Sequence, residues 1–273
     1  MSDETTVGVV FGFDDVLAPD STTFLLEQHG EDPEQFWSET FRDRIADGYD
    51  PTTAYLSALL ERVGPEEPLA ELTIDELRAT GAALDDHLYD GAGEVFADLQ
   101  EIAAAYPPEI SVECFVVSEG LAPILRGSSI ADDCTAVYGS ELATDDGGIV
   151  SEIKQPISFT DKTRCLFEIN KGVGQEERAE NPYAVNDNVE RDQRAILFDD
   201  MVYVGDGITD VPCFSLVKER GGRVFGVYDE DDRSHKQSVV QEMGAQQRVK
   251  QFSEPRYTES SRLGSLLRLT VEG

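Results

Sequence analysis

Four short stretches of this chain combine carboxylates, a hydroxyl and an ammonium in a way that suits phosphoryl transfer. The first is Gly12-Phe13-Asp14-Asp15-Val16-Leu17, at the end of an apolar run, and the second is Ser118-Glu119-Gly120. The third is Lys162, which opens a helical pattern, and the fourth is Gly205-Asp206-Gly207-Ile208-Thr209-Asp210, after the apolar run MVYV. If the elements carrying them are neighbours, Asp14, Asp15, Asp206 and Asp210 converge on one cleft. Carboxylates held that close repel unless a cation neutralises them, and oxygen-only ligands favour Mg²⁺. The Ser118 hydroxyl, backbone N–H groups beside it and the Lys162 ammonium supply donors for phosphate oxygens. Acid, metal and anion cradle together point to chemistry in which electrostatic stabilisation carries most of the catalysis.

Taken singly, each stretch has a plainer reading. GDG is a common turn signal, Ser118 can cap a helix, and Lys162 competes with Lys154 and Lys171. Asp15 is read as structural. Their order, each at a strand end or opening the helix that follows, gives them joint meaning.

The elements that would position them alternate. Thr6–Phe11 (TVGVVF) reads as a buried strand, as do Val112–Val117, Thr135–Tyr138, Met201–Val204 and Arg223–Val227. Helical patterns occupy Gly93–Tyr106, Lys162–Asn170, Val211–Lys218, Lys236–Met243 and Arg262–Leu269. Strands alternating with helices imply an α/β fold with a doubly wound parallel sheet. Residues 21–90 differ, reading as helices only. Ser21 is placed to cap a helix that stops at Gly30, Asp32-Pro33 opens the next, Asp50-Pro51 starts one that ends at Gly64, and Thr73 to Glu76 forms a capping box. Leu25, Leu26, Phe36, Trp37, Phe41, Tyr55, Leu56, Leu59 and Leu60 give this segment its own apolar faces. The polar stretch 172–195 reads as a surface excursion.

At these residues the sequence resembles the haloacid-dehalogenase-like (HAD) superfamily, in particular its phosphoserine-phosphatase-like branch. GFDDVL falls on the first motif, Ser118 on the second, Lys162 on the third and GDGITD on the fourth. The resemblance covers essentially the whole chain. It implies a Rossmann-like HAD core over 1–20 and 91–273 and an inserted helical cap domain over 21–90. It implies a Mg²⁺-dependent phosphomonoester phosphatase, with Asp14 as general acid/base and Asp14, Asp206 and Asp210 around the metal. Ser118, Glu119, Gly120 and Lys162 would lie at the phosphate of a small phosphorylated metabolite.

One position departs. Gly12 stands where the family carries the aspartate that attacks phosphorus, and glycine has no side chain to attack with. Shifting the register does not restore the pattern, because Asp14 or Asp15 as nucleophile would leave Val16 or Leu17 at the acid position. The expectation is a pseudo-phosphatase that binds phosphate or metal and turns over weakly or not at all. The alternatives are a hydrolase in which Asp14 activates water directly, or an isolated variant of an active lineage. A receiver-like phosphoacceptor domain also has an acidic pair after its first strand, but the long helical insert argues against it. Glu119 adds a carboxylate beside the expected phosphate.

Composition narrows the setting. The chain of 273 residues carries 55 acidic and 22 basic residues, a net charge of −33. Charge of this size, spread over apolar periodic segments, predicts a folded protein adapted to high salt, as in a halophilic archaeon. No basic stripe is present to bind nucleic acid. No apolar run is long enough to span a membrane and no signal peptide is evident, so a cytoplasmic location is expected. The cysteines Cys114, Cys134, Cys165 and Cys213 lack metal-binding spacing and read as reduced thiols. His29, His87 and His235 show no ligand pattern.

Overall fold

The structure, a computed structural model, describes residues 5–105, 110–228 and 249–272. His235 and the helix expected over Lys236–Met243 lie outside the described residues. Among the described residues, seven strands form one sheet: β1 (Thr5–Phe11), β2 (Ile110–Leu121), β3 (Ala136–Thr144), β4 (Val150–Gln155), β5 (Met201–Gly205), β6 (Arg223–Val227) and β7 (Phe252–Ser253). Their order is β4-β3-β2-β1-β5-β6-β7, with every pair parallel except β3 with β4. From β1 the chain moves outward through β2 and β3, then returns to the other side of β1 with β5. Open α/β sheets bind ligands at such a reversal, beyond the carboxyl ends of the strands. The register places the sequence motifs there. Phe11 pairs with both Val116 and Val204, so Gly12, Ser118 and Asp206 emerge at nearly one level.

Alternating side chains bury both faces of the sheet. Val9, Phe11, Val116, Val202 and Val204 pack under the helices Val95–Ala105 and Arg262–Glu272 through Phe96, Leu99 and Leu267. Val10, Phe115, Val117 and Tyr203 face the opposite way, against Cys165, Leu166, Phe214 and Val217 of the helices Asp161–Lys171 and Val211–Glu219. The doubly wound α/β architecture is therefore as the sequence predicts. The four cysteines are free thiols. Among the described residues, no helix is long and apolar enough to cross a membrane.

Residues 21–87 are helical where the sequence places helices, with corrections at the ends. Asp20, not Ser21, caps the helix Ser21–Gln28, its carboxylate accepting from the Thr23 N–H at 2.6 Å. The helix begun by Asp50-Pro51 ends at Leu60 rather than Gly64. Asp32 and the Thr73–Glu76 box cap as expected. The apolar faces of this segment join Leu121, Ile124, Leu142 and Val150 in one cluster. Contact is closest where the helix Ile74–Leu84 crosses Ala122–Gly127. A Cβ on Gly81 would lie 1.9 Å from the Ile124 carbonyl oxygen, so the two backbones touch only because Gly81 has none.

Three strand features were not expected. The strand β2 continues through Ser118, Glu119 and Gly120 to Leu121. Between Val117 and Leu121 it advances four residues while β3 advances two, a bulge that lifts the motif out of the ladder. The hairpin strand β4, turned through the glycines at 147 and 148, and the two-residue β7 are further additions.

Candidate active site

The loop after β1 is a tight turn. The Leu17 N–H donates to the Phe13 carbonyl at 2.8 Å and the Asp15 N–H to the Ala18 carbonyl at 2.8 Å. Asp15 takes φ +57°, a left-handed conformation that aspartate tolerates better than most residues. From the far end of the chain, the buried Tyr257 hydroxyl donates to the Val16 carbonyl at 2.6 Å and braces the turn. The turn aims Asp14 at the neighbouring strand. Its Oδ1 accepts from the Ser21 N–H at 2.8 Å, and its Oδ2 accepts from the Ser118 hydroxyl at 2.9 Å. Ser118 Oγ in turn accepts from the Gly120 N–H at 3.0 Å. A Cβ on Gly120 would lie 2.5 Å from Asp14 Oδ2, so the carboxylate occupies the space that a side chain there would need.

Lys162 is only 5% exposed. Its Nζ donates to Asp210 Oδ1 at 2.9 Å and to the Thr209 hydroxyl at 3.4 Å. Asp210, wholly buried, also accepts from the Tyr203 hydroxyl at 2.6 Å and from the Asp206 N–H at 3.0 Å. Burial works against charge on Asp210, but Lys162 and these donors outweigh it and hold the carboxyl below its ordinary value. Burial likewise opposes the Lys162 ammonium, and Asp210 and Glu119 overcome it. The pair is an ion pair at neutral pH.

These groups surround a cavity of about 280 Å³. Its sheet-side wall is Gly12, Asp14, Asp15, Ser118, Glu119, Gly120, Lys162, Asp206 and Thr209, and Asp20, Trp37, Phe41, Thr52 and Tyr55 close it from the helical segment. Glu119 therefore faces inward. Burial, with Asp210, Asp14 and Asp206 adding to it against the pull of Lys162, pushes its carboxyl up to about 7. Burial and then the charge of Asp14 push Asp20 up to about 6. The Tyr55 hydroxyl donates to the Glu119 carbonyl at 2.6 Å, as does Ser140 Oγ at 2.8 Å, and the Trp37 indole N–H donates to Thr23 Oγ1 at 2.9 Å. Ser21 Oγ is buried beside Gly120 with no hydrogen-bond partner.

The structure brings Gly12, Asp14, Ser118, Glu119, Gly120, Lys162 and Asp206 to one cavity, while Asp210 lies behind its wall, held by Lys162 and Tyr203. Asp14, Asp206 and Asp210 do not meet as donors to one ion. Asp14 and Asp210 are engaged as described, and Gly12 offers no carboxylate. Among the described residues, no group of three or more His, Cys, Asp or Glu side chains could hold a metal ion. The expected Mg²⁺ set does not fit this arrangement. Sequence reasoning missed Asp20, Tyr55 and Trp37 as walls, and Tyr203 as the partner of Asp210. A tyrosine inside the apolar strand ahead of GDG was the one available signal for the last.

No protein-family model matches the chain. An uncharacterized protein of Borreliella burgdorferi is 26% identical over 287 residues, covering 95% of this chain and 94% of that protein. A HAD family hydrolase from Salmonella enterica serovar Typhi superposes with a TM-score of 0.57 at 11% identity, covering 98% of this chain and 72% of that one. A substrate-bound phosphoserine phosphatase superposes with a TM-score of 0.57 at 14% identity, covering 97% of this chain and 99% of that one. Cytosolic 5′-nucleotidase IIIB bound to cytidine superposes with a TM-score of 0.52 at 17% identity, covering 99% of this chain and 86% of that one. The chain has the α/β fold of the HAD phosphatases.

Proposed function

We propose that this protein is a HAD-like phosphomonoester phosphatase scaffold whose turnover is weak or lost. The observation that carries the reading is Gly12, which follows the central strand beside Ser118 and Asp206 and has no atom able to attack phosphorus. The helical segment 21–90 acts as the cap, and Ser118, Gly120 and Lys162 mark the phosphoryl end of a site for small phosphorylated metabolites. Two further features weaken that end. The Lys162 charge is already matched by Asp210, and Glu119 brings a carboxylate into the cavity. Direct activation of water by Asp14 is the lesser reading, because both of its oxygens already hold donors. Free thiols support a cytoplasmic location.

Restoring the aspartate requires a local adjustment. Gly12 is not among the residues of positive φ, but a Cβ there meets a methyl of the buried Val16 at 2.8 Å, so Val16 must shift to admit it; the other neighbours are cleared by 3.6 Å or more. The test compares the natural protein with Gly12→Asp on p-nitrophenyl phosphate and a metabolite panel, in high salt with Mg²⁺. Little turnover is expected from the first and a large gain from the second. Equal rates would overturn the reading.

A further inference from the structure

We infer that the part of the ligand facing the helical segment is a single uncharged aromatic ring, which makes aryl phosphomonoesters the ligand class of the site. The inference rests on the phosphatase reading for the phosphoryl end alone, and the ring end stands on its own residues. Trp37, Phe41 and Tyr55 line the cavity from the helical side. No Lys, Arg or His of residues 21–90 lines it, so a carboxylate or a second phosphate on the ligand would meet no counter-charge there. The polar atoms of two of these rings are committed elsewhere, the Trp37 N–H to Thr23 Oγ1 and the Tyr55 hydroxyl to the Glu119 carbonyl. The Thr52 hydroxyl likewise donates to the Ile157 carbonyl, at 3.4 Å. Thr22 and Asp20 are the other polar side chains on that side, too few to satisfy a polyhydroxylated group. What the rings offer a ligand is hydrocarbon and π-surface.

Their arrangement favours an aromatic ring over an aliphatic group. Trp37 and Phe41 both belong to the segment Phe36–Phe41, which is wound as a π-helix. That form is rare and recurs at functional sites. The ring centroids of Trp37 and Phe41 are 5.3 Å apart with planes at 76°, and those of Trp37 and Tyr55 are 6.3 Å apart at 45°. The wholly buried Phe36 stands perpendicular to Trp37 at 4.9 Å and fixes it from behind. Rings tilted in this way offer faces and edges together. A further aromatic ring can stack on one and meet the edge of another, a gain beyond apolar contact that a saturated ring does not make. A volume of about 280 Å³ is small for a ligand pocket and leaves room for one ring beside the phosphoryl group.

Calorimetry on the full natural chain compares phenyl phosphate with cyclohexyl phosphate, which share size and charge and differ in the ring. Phenol and cyclohexanol repeat the comparison without phosphate, read by ligand-observed NMR where binding is weak. O-phospho-L-serine, O-phosphoethanolamine and inorganic phosphate complete the series. Phenyl phosphate should bind about fivefold or more tighter than cyclohexyl phosphate, and tighter than the amino esters and phosphate itself. In a Trp37→Leu, Phe41→Leu variant the phenyl-to-cyclohexyl ratio should fall to about one, whereas Tyr55→Phe, which keeps its ring, should retain it. Equal affinities for the phenyl and cyclohexyl esters, preference for an amino ester, or no saturable binding of phenyl phosphate and phenol would overturn the inference, and none of these results needs a variant to fold. Preference for phenol over cyclohexanol with nothing gained from phosphate would keep the ring site and sink the phosphatase reading, so the two ideas fail on different comparisons.

Discussion

The Asp14 carboxylate and the Ser118 hydroxyl, 104 residues apart in sequence, meet at 2.9 Å over the backbone of Gly120. This contact ties the turn after β1 to the bulged end of β2, and it exists only because Gly120 leaves the space empty. Gly120→Ala should therefore push Asp14 off Ser118 and cost about 1–3 kcal/mol, the range for overfilling a packed site. Urea unfolding measures the cost. A variant as stable as the parent would show that Asp14 can swing away freely.

The Lys162–Asp210 pair is buried on both sides, so removing one member strands the other. Lys162→Met should lose about 3–5 kcal/mol, and the double variant Lys162→Met, Asp210→Asn should recover most of it. The pH dependence has a definite sign. Asp210 is held below its ordinary 3.8, so its contribution is complete above that value and is lost as pH falls through the lowered one. Lys162 is raised above 10.5, so its contribution is complete below that value and is lost as pH climbs through the raised one. With Glu119→Gln in both backgrounds, the gap between parent and the double variant Lys162→Met, Asp210→Asn should stay constant between about pH 4 and 10 in denaturation series.

Glu119 acts in the opposite sense. With its carboxyl raised from 4.5 to about 7, the folded protein keeps a proton that the unfolded chain has already released. Stability should then decline as pH rises through that window, and Asp20 adds a similar decline from 3.8 to about 6. Glu119→Gln should match the parent near pH 4.5 and exceed it above pH 7 by about 1–3 kcal/mol. Coincident stability curves for the two across the whole range would remove Glu119 from the buried cavity wall.

A net charge of −33 on 273 residues makes the folded state self-repelling at low ionic strength. We propose that the thermal midpoint climbs steeply as KCl is raised from low to molar concentration. Calorimetric scans over that range test it, and a flat profile would dismiss salt adaptation.

Much of this organisation is legible in the sequence because the signals are local. The run ending at Gly12, the GDG turn, the Asp-Pro helix starts and the Thr73 box each specify an element from a few adjacent residues. The parts that are not legible depend on partners distant in the chain. Nothing near Ser118 announces that β2 continues to Leu121, since that extension is defined by pairing with β3. Only one residue of β4, Val150, is fully buried, so its apolar alternation is faint. Trp37 and Tyr55 read as packing residues of a helical face, and only the approach of that face to the sheet makes them walls of a cavity. Asp210 has the right type and spacing for a metal ligand, yet Tyr203 and Lys162 share its Oδ1 and the Asp206 N–H takes its Oδ2.

The Tyr257 brace sets an order on how the protein comes into being. During synthesis the loop bearing Asp14 is among the first parts to leave the ribosome, yet its strut arrives 241 residues later. Until that phenol docks, the growing chain has its acid-bearing turn in hand without the clamp that shapes it. A fragment lacking the segment around Tyr257 would carry every motif of the pocket and still hold the first of them slack.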